Sequence, residues 1–217
     1  MKDSNQPNGL VSEPAELAEY LINGTLYQSY PDLPRNVYET LKLSAETKPE
    51  KIALVDPRER VTFAEFLQRV DTLAAVLEQQ YGIQRGHVCA LLMKNSIDFC
   101  VAFYAVMRVG AIALPLSTKL TEDELKHPLT HSKCRLLFLD EAWYGNVAQI
   151  IASTEIKSLL FSGREAGHSA GKRFHDLAAT SPLTDAQPAW QDGAVLVYTS
   201  GTTGKPKGAY ITHFNIL

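Results

Sequence analysis

Short, almost wholly apolar segments alternate with helical patterns along this chain, and this alternation most constrains the fold. The segments cover residues 88–93, 111–116, 135–139, 158–161 and 194–199. A strand that is apolar at successive positions is buried on both faces, which is typical of a parallel sheet with helices on either side. The sequence therefore predicts an α/β fold, with mostly parallel strands covered by helices.

The segments between these strands carry the signals that begin and end helices. Thr62 with Glu65, and Thr121 with Glu124, have capping-box spacing, in which the threonine hydroxyl accepts from a backbone amide and the glutamate reaches back. Gly82 is suited to end the first of these two helices. The predicted helices cover residues 36–47, 62–82, 97–109, 121 onward and 142–153. A β-hairpin is predicted over residues 52–63. Residues 162–193 are predicted to leave the sheet and to form one helical turn near 174–179.

The first 34 residues are interpreted as a leader segment that precedes the sheet-forming region, residues 35–217. We expect one short helix over residues 14–22, and Pro31 and Pro34 then interrupt the chain. The polar start of the chain lacks the apolar core of a secretory signal, and no run of about 18 apolar residues predicts a membrane span. The expected location is the cytoplasm.

Charge and cysteine content argue against two classes of protein. Lysine plus arginine number 21 and aspartate plus glutamate 24, so the net charge is −3. No basic excess is present to neutralise a phosphate backbone, and nucleic acid is therefore not an expected partner. The three cysteines, Cys89, Cys100 and Cys134, are an odd number without CxxC spacing. This pattern disfavours a disulfide framework and fits a reducing compartment.

The histidines do not predict a metal site. His127 and His131 are the one pair with i, i+4 spacing, and Pro128 beside them argues against a regular helical face. A surface or capping role is therefore the prediction for this pair, and no residue of the chain is assigned to a metal.

The segment most informative about function joins the last apolar strand to a second apolar run. Residues 198–208 read YTSGTTGKPKG. Its glycines let backbone amides approach a ligand and form an anion-binding nest, and its hydroxyls and lysines add donors and positive charge. Each hydrogen bond to a charged group contributes about 1.5–3 kcal/mol, so a few of them can hold a polyphosphate. The spacing fits neither a Walker A loop nor GxGxxG. This segment itself supplies no nucleophile with a paired base, which favours binding over covalent catalysis.

These residues resemble the phosphate-binding signature of the adenylate-forming enzymes, a superfamily of acyl- and aryl-CoA ligases, peptide-synthetase adenylation domains and firefly luciferase. Weaker similarities lie upstream in the same order, at residues 61–66 (VTFAEF) and 106–116 (VMRVGAIALPL). Arg108 and Ser117 depart from the residues more usual there. By this resemblance, residues 35–217 form the N-terminal part of an AMP-binding domain that ends after the phosphate-binding loop.

The resemblance implies ATP-dependent activation of a carboxylic acid as an acyl-adenylate, followed by thioester formation with CoA. It also implies Mg²⁺, which shares the phosphate charge. The identity of the acid, and the choice between CoA and a carrier-protein thiol, stay open. Lys207 would bear charge on the pyrophosphate side, and Gly208 would let the chain pack closely as the next strand begins. The implied ATP contacts are Thr199, Ser200, Gly201, Thr202, Thr203, Gly204 and Lys207.

In this family the catalytic residues lie downstream of the position that corresponds to Leu217, so the chain alone is expected to be inactive. One alternative is therefore a nucleotide-binding fragment without turnover. The other is an α/β-hydrolase that uses Ser169, because residues 167–171 spell GxSxG and Asp192 and His213 follow in triad order. A nucleophile elbow directly follows a buried strand and opens a helix, whereas residues 164–166 separate Ser169 from the predicted strand.

Overall fold

The computed structural model describes residues 17–163, 170–184, 187–199 and 206–217. The chain divides into two compact units, Met1–Leu33 and Pro34–Leu217. The described part of the first unit is an antiparallel hairpin of β1 (Ala18–Ile22) and β2 (Thr25–Ser29). That the first 34 residues act as a leader stays a prediction.

The helix predicted over residues 14–22 is wrong where the structure describes it. Residues 18–22 form β1, and the next two residues, Asn23 and Gly24, turn the chain with φ of 50° and 79°. An Asn-Gly pair tolerates positive φ at both positions and therefore favours a two-residue hairpin turn. This dipeptide is the local signal that the helical interpretation missed.

Helices and strands alternate in the second unit. The helices are α1 (Val37–Thr47), α2 (Phe63–Tyr81), α3 (Ile97–Arg108), α4 (Glu122–His131), α5 (Tyr144–Ile151) and α6 (His213–Ile216). The strands are β3 (Ile52–Val55), β4 (Arg60–Thr62), β5 (Val88–Leu92), β6 (Ile112–Pro115), β7 (Leu136–Leu139), β8 (Ser158–Phe161), β9 (Lys172–Arg173), β10 (Gly193–Thr199) and β11 (Lys207–Thr212). Both capping boxes are present, at the starts of α2 and α4.

The α/β prediction is confirmed by a seven-stranded sheet in the order β11-β10-β6-β5-β7-β8-β9. Strands β5 to β10 run parallel to their neighbours, and β11 joins the edge antiparallel to β10. Strands β3 and β4 form the predicted hairpin outside this sheet. Among the helices that the structure describes, none has both the length and the hydropathy needed to cross a membrane.

The two faces of the sheet are covered by different helices. Cys89 and Leu91 of β5 pack with α2 and α3, whereas Ala90 and Leu92 pack with α4 and α5. Successive side chains of a strand point to opposite faces, so both sets must be apolar when both faces are covered. This arrangement explains the continuous apolar runs of the sequence.

The excursion after β8 contains more structure than the sequence predicts. The predicted helical turn is a 3₁₀ helix over Phe174–Asp176. It is preceded by β9, whose Lys172 pairs with Leu160 of β8. A two-residue polar strand has no periodic pattern to reveal it, because its pairing depends on the strand beside it.

Candidate functional site

The predicted phosphate-binding segment lies between β10 and β11, which form an antiparallel hairpin. Thr199 ends β10 and is paired with Lys207, the first residue of β11. Ser200, Gly201, Thr202, Thr203 and Gly204 lie outside the described residues. The structure therefore brings together the first and last of the predicted ATP contacts, directly opposite each other.

The position of this pair in the sheet suits a ligand site. Strand β10 runs parallel to β6, with Val195 beside Ala113, so Thr199 lies at the carboxyl edge of the parallel strands. Open α/β sheets bind ligands outside that edge. Thr199 and Lys207 are both exposed, so their hydroxyl and ammonium groups are accessible to a bound molecule.

Gly208 permits a close approach between the two strands. A Cβ at this position would lie 3.1 Å from Cδ1 of Leu196 and 3.4 Å from Cζ of Tyr198. The first of these distances is shorter than ordinary van der Waals contact, so a larger residue would displace the Leu196 side chain. The close packing predicted for Gly208 is therefore present.

Helix α4 contacts the hairpin on both sides of the segment, at Tyr198 of β10 and at Pro206, the residue before β11. Nδ1 of His131 lies 2.7 Å from the hydroxyl of Tyr198, and Nε2 of His127 lies 3.0 Å from the carbonyl oxygen of Pro206. The prediction that Pro128 disrupts a regular helical face here is wrong, because α4 continues through Pro128 to His131. The two imidazoles share one face, with ring centroids 5.1 Å apart.

The opposite end of β11 is fixed in the interior. His213 begins α6 and is fully buried, and its Nδ1 accepts a hydrogen bond of 3.2 Å from the backbone amide of Val37. Burial lowers the pKa of His213 to about 4, the Asp192 carboxylate opposes that shift, and Arg85 adds to it. The imidazole is therefore neutral at pH 7 and acts as a structural acceptor.

The described residues argue against the hydrolase alternative. Ser169 itself lies outside them, but the element that follows it is strand β9 and not the helix that a nucleophile elbow opens. Oδ2 of Asp192 accepts from the Ala189 amide and pairs with Arg85, and Nδ1 of His213 accepts from a backbone amide. The Asp192 carboxylate therefore does not orient His213 through Nδ1 as a triad requires.

Comparisons with known proteins agree with the resemblance. The family model described as AMP-binding enzyme matches residues 41–217. The long-chain-fatty-acid–CoA ligase FadD13 of Mycobacterium tuberculosis is 30% identical over 184 residues, which are 84% of this chain and 36% of that protein. The 4-chlorobenzoate–CoA ligase of an Arthrobacter species is 32% identical over 183 residues, or 82% of this chain and 33% of that protein.

A solved structure has the same fold. The anthranilate CoA ligase AuaEII, crystallised in complex with anthranoyl-AMP, matches with a TM-score of 0.76 and 25% identity. The match covers 84% of this chain and 36% of that one, so the chain spans about a third of the length of these relatives. Because the AMP-binding enzyme model covers most of the sequence, the chain belongs to the AMP-binding enzyme family.

Proposed function

We propose that the β10–β11 hairpin binds the polyphosphate of ATP, within a protein that activates a carboxylic acid as an acyl-adenylate and transfers the acyl group to CoA. The observation that carries this proposal is the pairing of Thr199 with Lys207 at the carboxyl edge of the sheet, on either side of the glycine- and hydroxyl-rich segment. Family membership and relatives named as CoA ligases support the acid–CoA ligase reaction.

The chemistry requires positioning and charge stabilisation more than covalent participation. A carboxylate oxygen attacks the α-phosphorus of ATP, and the bond to the bridging oxygen breaks as pyrophosphate leaves. Negative charge then accumulates on the β- and γ-phosphates, where amide, hydroxyl and ammonium donors stabilise it. In this proposal Lys207 supplies the positive charge on the pyrophosphate side and Thr199 supplies a hydroxyl.

Magnesium would reach such a site with the nucleotide. The described residues contain no group of three or more His, Cys, Asp or Glu side chains that could hold a metal ion. Magnesium in nucleotide sites is commonly held by substrate phosphates, water and one or two protein ligands. When bound, it would neutralise phosphate charge, so the proposal needs no metal cage within these residues.

We expect the Lys207→Ala variant of this chain to bind ATP about 10- to 30-fold more weakly, because it loses one charge-assisted bond at an exposed position. AMP, which has no β- or γ-phosphate, should bind unchanged. Isothermal titration calorimetry with both nucleotides measures the two affinities. Lys205→Ala is the matched control, since Lys205 occupies the variable position of the signature. This variant should lose less than threefold in affinity for ATP. An equal loss of ATP and AMP affinity would remove Lys207 from the pyrophosphate side.

We expect the chain by itself to bind ATP without sustained turnover, because it corresponds to about a third of its ligase relatives. The measurement is a time course of pyrophosphate release with ATP, Mg²⁺ and a panel of aliphatic and aromatic carboxylic acids. Continuous release that depends on one of the acids would show that this chain by itself holds the catalytic groups. No release together with ATP binding would agree with a nucleotide-binding fragment.

A further inference from the structure

We propose that His127 and His131 are positioning residues that hold the two strands of the β10–β11 hairpin at the points where the phosphate-binding segment begins and ends. This inference rests on the proposed function of that segment. Neither histidine belongs to the signature, and both lie on α4, far from residues 198–208 in sequence. Their assignment comes from contacts that only the folded chain creates.

The two contacts fall on either side of the segment. The carbonyl oxygen of Pro206 can only accept, so Nε2 of His127 carries a proton and donates to it at 3.0 Å. Pro206 directly precedes Lys207. Nδ1 of His131 lies 2.7 Å from the hydroxyl of Tyr198, which directly precedes Thr199. Each histidine therefore contacts the residue next to one of the two described ATP contacts.

Ring packing adds to these hydrogen bonds. The Tyr198 ring is perpendicular to both imidazoles, with centroid distances of 5.8 Å to His127 and 5.9 Å to His131, and both interplanar angles are 88°. The i, i+4 spacing on α4 brings both imidazoles to one side of the tyrosine. The three rings form a cluster, the His127–His131–Tyr198 cluster, that attaches the end of β10 to the helix.

The physical effect of this cluster is preorganisation. Ligand-binding residues that are already fixed in position lose less conformational entropy on binding, so the ligand binds more tightly; here these residues are Thr199 and Lys207. The histidines act through Tyr198 and Pro206, and they contribute to ATP affinity without touching ATP. Loss of both hydrogen bonds should weaken ATP binding about three- to tenfold.

Asparagine and glutamine provide a matched test, because the asparagine amide overlaps Nδ1 of histidine and the glutamine amide overlaps Nε2. The double variant His127→Gln/His131→Asn keeps a polar group at both contact positions. The double variant His127→Asn/His131→Gln has the same composition but places each amide where the contact is absent. We expect the first variant to bind ATP within twofold of the unmodified chain and the second three- to tenfold more weakly.

Two further measurements separate positioning from general stability and from failure of the ATP proposal. Both variants should remain folded at the temperature of the binding measurement, which a thermal unfolding curve for each variant checks. Amide hydrogen exchange of peptides covering β10 and β11, measured without ligand, should be faster in the His127→Asn/His131→Gln variant. If the unmodified chain binds no ATP, the proposed function fails, and exchange still decides whether the histidines hold the hairpin. Equal exchange and equal ATP affinity in the two variants would overturn the inference.

Discussion

Replacement of Asp98 by alanine should lower the free energy of unfolding by about 3 kcal/mol, because the loss of two hydrogen bonds to a buried carboxylate is among the larger single-residue effects. Oδ1 of Asp98 accepts from Nε2 of His175 at 2.9 Å, and Oδ2 accepts from the Gly163 amide at 3.2 Å. Nη2 of Arg58 lies 3.6 Å from the same Oδ2. The Asp98 side chain is only 3% exposed.

The environment of Asp98 keeps it charged despite this burial. Burial by itself raises the pKa of the carboxyl group, but the hydrogen bond and charge of His175, the Gly163 amide and the Arg58 guanidinium outweigh it, and the net pKa lies below the usual value. The carboxylate thereby connects α3 to three other segments: the β3–β4 hairpin, the chain that follows β8, and the 3₁₀ helix that follows β9. Alanine at this position would remove the contacts of α3 with all three through this carboxylate.

Urea denaturation of Asp98→Ala and Asp98→Asn measures the effect. Asparagine keeps the volume of the side chain and one acceptor oxygen. The free energy of unfolding should therefore fall less in Asp98→Asn than in Asp98→Ala. The control is Glu46→Gln, which removes a charge from a half-exposed pair with Lys42 at 4.0 Å and should change stability by less than about 0.5 kcal/mol. A double-mutant cycle with His175→Ala isolates the Asp98–His175 coupling. A loss below 1 kcal/mol in Asp98→Ala would show that the three segments hold without the carboxylate.

The elements predicted correctly are those whose signals are local. The apolar runs of β5, β6, β7 and β8 identify strands covered on both faces, and the threonine–glutamate capping boxes mark where α2 and α4 begin. The order of strands in the sheet and the antiparallel direction of β11 depend on contacts between distant segments. The position of strand β9 depends most strongly on a distant segment. It packs so closely against β8 that a Cβ on Gly171, the residue before β9, would lie 2.5 Å from the carbonyl oxygen of Leu159.

The candidate site divides in the same way. Thr199 and Lys207 follow from a contiguous signature, and the structure adds that they are paired partners. The supporting histidines could not be found from the signature, since their contacts with Tyr198 and Pro206 span 67 and 79 residues. The presence of Pro128 between them also argued against a common helical face. Pairwise chemistry of this kind becomes visible only when the helix and the hairpin are placed together.

The largest pH effect that we expect is acid destabilisation through His213. Its pKa is about 4 in the folded protein, against 6.5 ordinarily, because burial disfavours the charged imidazole. Its Nε2 is buried without a hydrogen-bond partner among the described residues, so no acceptor there compensates a charged ring. Between these two pKa values the unfolded chain binds a proton that the folded chain does not. The stabilisation that the neutral His213 contributes is therefore fully present above pH 6.5, and it is lost as the pH falls towards 4.

Integrating this difference gives a loss of about 2 kcal/mol between pH 7 and pH 5, and about 3 kcal/mol by pH 4. Urea denaturation at half-unit intervals from pH 7 to pH 4.5 measures it in a range where most carboxylates are still ionised. His213→Asn is the comparison, because its amide oxygen can accept from Val37 but does not titrate. It should be less stable at pH 7, since a smaller side chain leaves a void, yet its stability should fall much less with pH. Parallel curves for the two proteins would mean that folding does not lower the pKa of His213, and the acid destabilisation would then come from other groups.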